Sequence, residues 1–151
     1  AQPLVSFHYG KGEYRACDTL LRYALTTVCI LAPALFLGLY LFAPQLVRAY
    51  LSHADAALVA YSVGAFRHYS VSYLLLGFNV VAGGFMTALE RPVPAICISV
   101  GRGLVLQSAV LLLLAALFGG DALWYTPILS EAMCLVLSLV FLRSYRREHS
   151  V

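Results

Sequence analysis

Long apolar runs alternate with short polar breaks along this chain, and four of the runs are long enough to cross a bilayer as helices. A helix needs about 20 mostly apolar residues to span the hydrocarbon core. The runs are Leu20 to Phe42, about Tyr69 to Leu89, about Pro94 to Phe118 and about Leu123 to Leu142. Strands account for them poorly. Leu111-Leu112-Leu113-Leu114-Ala115-Ala116 shows no alternation between faces, and its Leu and Ala content favours helix.

The breaks are well marked. Ala43-Pro44 closes the first run. Arg91-Pro92-Val93-Pro94 turns into the third, since proline suits the first turn of a helix, where its missing N–H is not needed. Gly119-Gly120-Asp121 parts the third run from the fourth. Between Ser52 and His68 the pattern changes. Asp55 is an N-cap candidate, and Leu58, Val59, Ser62 and Phe66 follow at helical spacing among polar residues. That predicts a short interfacial helix over about 55–67, leading into the second span. Pro33 and Pro127 lie within runs and predict kinks.

The pattern defines an all-α membrane protein, a polytopic helix bundle of four transmembrane helices, with residues 1–151 as one unit. Gln2-Pro3-Leu4-Val5-Ser6-Phe7 reads as the end of a preceding helix. No signal peptide is recognisable. The chain opens inside an element, so the expectation is a piece of something longer.

Composition sharpens this picture. Apolar residues make up 62% of the 151 and charged residues 11%, where an ordinary globular chain has about 45–50% and about 25%. The excess apolar surface suits a lipid bilayer. The net charge of +3 gives no sign of a nucleic-acid partner. Where the charges fall matters more. Lys11, Arg15, Arg22, Arg91, Arg143, Arg146 and Arg147 flank one side of the predicted spans, and only Arg48 and Arg67 flank the other. By the positive-inside tendency, the N-terminal stretch, the 90–93 turn and the C-terminal tail face the cytoplasm. The expected location is the cell (inner) membrane.

The cysteines, Cys17, Cys29, Cys97 and Cys134, form no CxxC pair and fit reduced core thiols. His8, His53, His68 and His149 are scattered over loops on both sides, so no metal site is expected. Neither a nucleophile elbow nor a P-loop nor a pair of carboxylates appears, so the chain is not expected to be an enzyme.

Three polar residues sit deep in the runs. Translocon scales put an arginine at the helix centre at roughly 2.5–3.5 kcal/mol, so such residues persist when they pair or line a wet cavity. Arg102 lies roughly 12 Å into its span and Glu131 roughly 16 Å into the next. Spans joined by a short loop are usually neighbours, so the two residues either pair or separately face a polar lumen. A carboxylate paired with arginine is a poor proton carrier. Asn79 is the only asparagine. It suits either a substrate or cation contact, or an interhelical hydrogen bond. Gly77, Gly83 and Gly84, and Ser130, Cys134 and Ser138, mark small faces for close helix packing.

The N-terminal stretch adds a family. Gln2-Pro3-Leu4-Val5-Ser6-Phe7-His8-Tyr9-Gly10 resembles the QPLVSYNYG segment of the multidrug and toxic compound extrusion (MATE) transporters, which lies where the eighth of twelve helices ends. Leu76-Gly77-Phe78-Asn79-Val80-Val81 resembles a tenth-helix segment, Ala88-Leu89-Glu90-Arg91-Pro92 the ALGRP turn, and Ser99-Val100-Gly101-Arg102-Gly103 the eleventh-helix arginine region. The motifs occur in order. The chain departs from the family in three places: His8 stands for an asparagine, Glu90 for the turn glycine, and Gln107 and Ser108 lie in the region where a proline is common. The resemblance implies that the four spans are helices nine to twelve of a MATE-like twelve-helix fold. Gln2, Pro3, Ser6 and Gly10 mark the cytoplasmic connector.

It further implies a fragment of a secondary active efflux transporter. Such a protein exports cationic or amphipathic organic compounds in antiport with H⁺ or Na⁺, by alternating access between two lobes. The coupling ion is the only cofactor expected. Small organic cations are the implied substrates, and the missing N-terminal lobe of the same protein is an implied partner. The chain is not expected to transport alone. Asn79, Arg102 and Glu131 are the candidates for cavity or coupling. The tenth-helix candidate carries no acid, so coupling falls elsewhere in the protein or to neutral groups such as Asn79. Three alternatives remain. A flippase for lipid-linked oligosaccharides, of the same superfamily, needs several intramembrane cations, where only Arg102 is present. A quinone-linked disulfide-forming oxidoreductase needs a CxxC that is absent. A small tetraspan membrane protein with a structural role needs neither.

Overall fold

The computed structural model describes residues 2–52 and 55–149. Among these residues the α-helices are α1 Gln2–Gly10, α2 Tyr14–Tyr50, α3 Ala56–Val71, α4 Tyr73–Ala88, α5 Pro92–Val100, α6 Gln107–Phe118 and α7 Thr126–Glu148. A π-helical segment, Gly101–Leu106, joins α5 to α6, and a 3₁₀ segment, Gly120–Tyr125, leads into α7. Together they make four lengths apolar enough to cross a membrane: Tyr14–Tyr50, Ala56–Ala88, Pro92–Phe118 and Ala122–Glu148. The fold is the all-α polytopic bundle that the hydropathy pattern predicts.

Helix α4 stands at the centre, packed against α1, α2, α5 and α7. Its glycines explain how. Gly77 meets Val28 of α2, Gly83 meets Ile98 of α5, and Gly84 meets Gln2 of α1. A Cβ at Gly77 would lie 2.7 Å from Val28 Cγ1, and one at Gly84 2.9 Å from Gln2 Nε2, closer than such atoms tolerate. Lipid is as apolar as leucine, so helices in it associate through this kind of close backbone approach. The main apolar core gathers Val5, Leu21, Phe85, Met86, Leu89, Ile98 and Tyr145, toward the arginine-rich end of the bundle. Ile30, Leu31 and Leu35 of α2 and Leu112 and Leu117 of α6 point outward, as suits a lipid-facing surface.

Two turns at the arginine-rich end share one device. After α1, Gly12 N–H donates to Tyr9 O and Glu13 N–H to His8 O, with Gly12 at φ +74°. After α4, Glu90 N–H donates to Thr87 O and Arg91 N–H to Met86 O, with Glu90 at φ 55°. Both are Schellman closures, which need a left-handed residue just past the helix end. Gly12 adopts that conformation freely, whereas Glu90 is strained there. The family's glycine at this turn thus has a mechanical reason. Glu90→Gly is expected to raise stability by about 0.5–1 kcal/mol, because relief of roughly 1–2 kcal/mol of strain outweighs the glycine's extra unfolded-state entropy. A higher melting temperature in detergent would register this. A lower one would show that the Glu90 side chain matters more than its backbone.

The structure moves several boundaries. Pro44 does not close the first span, because α2 continues through it to Tyr50. Proline removes the donor that would reach the carbonyl four residues back. Arg67 supplies a substitute: its Nε donates to Tyr40 O at 3.3 Å, and its guanidinium lies 4.8 Å from the Tyr40 ring. The helix expected over about 55–67 is α3, and it is longer. Helix α3 runs to Val71 and passes into α4 with a single slackened residue, Ser72, so that Ala56–Ala88 forms one length. Ser72 Oγ bonds back to Tyr69 O at 2.7 Å. Asp55 does occupy the N-cap, without a side-chain capping bond. Pro127 stands in the first turn of α7 and not at an interior kink. Helix α1 reaches Gly10, which leaves only Lys11–Glu13 as connector.

Candidate functional site

The deepest polar cluster lies where α4, α7 and the π-helical segment meet. Asn79 of α4 is 1% exposed. Its Nδ2 donates to Glu131 Oε2 at 2.7 Å and to the Glu131 backbone carbonyl at 2.9 Å. Its Oδ1 accepts from Ser138 Oγ at 3.0 Å. The other carboxylate oxygen, Glu131 Oε1, faces Arg102 Nη1 at 3.4 Å. At the position before Glu131 on α7, Ser130 Oγ donates to Gln107 Oε1 at 2.7 Å. Cys134 lies between them, fully buried, with its thiol on Ile98 O at 3.7 Å.

Sequence spacing creates this arrangement. Ser130, Cys134 and Ser138 recur every four residues, so they share one face of α7. Glu131 lies beside that stripe. The same face carries Thr126, whose Oγ1 is buried without a partner among the described residues. Small side chains bring α4 near enough for a short Asn79 amide to reach across. The π turn, which closes i→i+5 instead of i→i+4, sets Arg102 opposite Glu131. All three deep polar residues singled out from the sequence therefore converge. Gln107 and Ser138 join them as polar partners that the pattern alone did not assign.

A second cluster holds the arginine-rich end. Asp18 of α2 is 3% exposed. It accepts from Arg22 Nε at 2.7 Å and from Arg146 Nε at 2.9 Å, so α2 is tied to the end of α7. Arg91, in the α4–α5 turn, pairs with Glu148. Asp18 escaped the sequence reading, although its signal was present: an acid four residues before Arg22 at the mouth of an apolar run. Tyr145 fills the space behind, fully buried, edge-on to Phe85 at 5.4 Å. Its hydroxyl has no partner among the described residues. Tyr145→Phe keeps the ring and removes the orphan oxygen, so a stability gain of about 1 kcal/mol is expected. Thermal unfolding in detergent checks this, and a loss would mean that the hydroxyl is bonded.

The connector residues divide. Gln2 Nε2 reaches Gly84 O at 3.4 Å and Ser6 Oγ donates to Ala88 O at 2.9 Å. Two side chains one turn apart thus grip two carbonyls one turn apart, and α1 is docked on α4. Pro3 lines a mostly apolar crevice of about 360 Å³ between α1, α2 and α4. Gly10 meets no neighbour. His8 binds Glu13 across the turn. That hydrogen bond holds the exposed Glu13 carboxyl below its ordinary range, so the contact operates at neutral pH and is lost as acid protonates Glu13.

Of the four cysteines, Cys17 and Cys134 are buried, whereas Cys29 and Cys97 are exposed, so only two fit the expected core role. His53 lies outside the described residues. Among those described, no three His, Cys, Asp or Glu side chains gather as metal ligands would.

Four apolar spans around an interior polar cluster define a multi-pass membrane protein. The family model MatE matches residues 1–120, most of the chain, and the chain belongs to that family of membrane transporters. Asn79 and Arg102 fall inside the matched segment; Glu131 lies beyond it. No curated protein and no solved structure matches the chain.

Proposed function

We propose that this chain forms part of a secondary active exporter for cationic or amphipathic organic compounds, driven by antiport with H⁺ or Na⁺. Its arginine-rich end faces the cytoplasm, in keeping with the distribution of basic residues. The Asn79–Arg102–Glu131 cluster is the part of the chain that senses the coupling cation.

The observation that carries this reading is the placement of Glu131. It is an acid 8% exposed, inside a span, and it joins three separate elements through side-chain contacts. An ionisable group in that position is expensive to keep and marks an ion or substrate pathway by default. A pair made only for stability would be replaceable by apolar residues at little cost. The flippase reading gains no support, since Arg102 is the one cation facing this cluster among the described residues.

An efflux assay tests the proposal. The protein is expressed from its whole reading frame in cells loaded with a fluorescent organic cation such as ethidium. Extrusion that stops when either the proton or the sodium gradient is collapsed supports antiport. Extrusion indifferent to both gradients rules it out.

A further inference from the structure

We propose that Arg102 is a tethered competitor for the coupling cation at Glu131: its guanidinium holds the carboxylate until a monovalent metal cation displaces it. This rests on the reading of the cluster as the coupling site.

The two carboxylate oxygens are held unequally. Glu131 Oε2 takes the Asn79 amide at 2.7 Å, and Asn79 is itself fixed by Ser138 at 3.0 Å. Glu131 Oε1 takes Arg102 Nη1 at 3.4 Å, beyond the usual range of an N–H···O bond. The Arg102 side chain is 29% exposed and that of Glu131 10%. The carboxylate is therefore the fixed member of the pair, and the guanidinium is the one free to leave.

The backbone beneath Arg102 suits such a departure. It lies in the π-helical segment Gly101–Leu106, flanked by Gly101 and Gly103, and a Cβ on either glycine would meet nothing within 4 Å. A π turn holds one residue more than an α turn between its bonded groups. Relaxation to α register would re-aim Arg102 while keeping the chain helical.

The surrounding oxygens indicate which cation takes its place. The oxygens of the cluster are Asn79 Oδ1 and Ser138 Oγ, bonded to each other, and Ser130 Oγ and Gln107 Oε1, bonded to each other, with Ser130 the residue before Glu131. These are hard, neutral donors of the kind that alkali and alkaline-earth cations prefer to transition metals. One carboxylate balances one positive charge. At the carboxylate itself Na⁺ balances the charge one for one, whereas a divalent ion would leave that site with an uncompensated charge. The resting pair thus lowers the apparent affinity for the ion, and ion binding releases the arginine.

Equilibrium binding of ²²Na⁺ to the purified full-length protein in detergent tests this, with wild type, Arg102→Gln, Arg102→Lys and Glu131→Gln compared. A pair closed about nine-tenths of the time masks affinity by about tenfold, so Arg102→Gln is expected to bind Na⁺ about tenfold more tightly. Arg102→Lys keeps a competing charge and should stay near wild type. Arg102→Met serves the same comparison if Arg102→Gln does not elute as a single species. Unchanged or weaker binding in the neutral variants overturns the proposal, as does equal tightening by lysine. Glu131→Gln should abolish binding. If it does not, the coupling-site reading itself fails, whatever Arg102 does.

Discussion

Asn79→Leu is expected to destabilise the bundle by about 3–5 kcal/mol, the range found when a buried charge loses its partner. Leucine removes the donor to Glu131 Oε2 and to the Glu131 carbonyl, together with the acceptor for Ser138 Oγ. Glu131 would keep only its long contact with Arg102, and Ser138 would be left buried at 1% exposure without its partner. Nothing on α4 could replace the amide, since the facing side chains are small or apolar. The yield of monodisperse protein and its melting temperature in detergent report the effect. A leucine variant as stable as wild type would mean that the Asn79 bonds contribute nothing.

Charge reversal should have the next largest effect. Arg102→Glu sets two carboxylates where Nη1 and Oε1 now stand 3.4 Å apart. At an effective dielectric near 20, like charges at that distance repel by roughly 5 kcal/mol. Glu131→Arg has the mirror defect and also turns an acceptor for Asn79 into a donor. The double variant Arg102→Glu/Glu131→Arg should recover part of the loss. Recovery is incomplete because Asn79 must turn its amide to offer Oδ1, which disturbs Ser138. Stability equal to the sum of the two single losses would show that the residues do not interact.

Much of this was legible in the sequence, for reasons that differ by element. The spans were legible because a bilayer forces long apolar runs. The three deep polar residues stood out because each is costly in such a run. Their meeting was less so. Arg102 and Glu131 lie on consecutive spans, and adjacency suggested a pair. The stronger link, Asn79 to Glu131, joins residues 52 apart, and only the placement of α4 against α7 makes it. Asp18 and Arg146 are 128 apart; each alone looks like an ordinary flanking charge.

Helix ends were misread for a local reason. Proline at Pro44 is a breaker unless something else satisfies the freed carbonyl, and the donor that does so, Arg67, comes from the next helix. No pattern within α2 announces it. Ser72 likewise interrupts without separating, because its own hydroxyl closes the gap. The left-handed conformation of Glu90 was hinted at only by its standing where the family keeps a glycine. The π turn also left a trace, the pair of glycines around Arg102.

The central claim is that Glu131, held by Asn79 and faced by Arg102, couples ion movement to transport. It is tested most directly by gradient-driven accumulation of an organic cation in liposomes containing the full-length protein, wild type against Glu131→Gln. Glutamine keeps the shape and the bond to Asn79 while removing the charge. The account predicts that the variant still binds the substrate but no longer accumulates it in response to an imposed proton or sodium gradient. Accumulation at the wild-type level would contradict it.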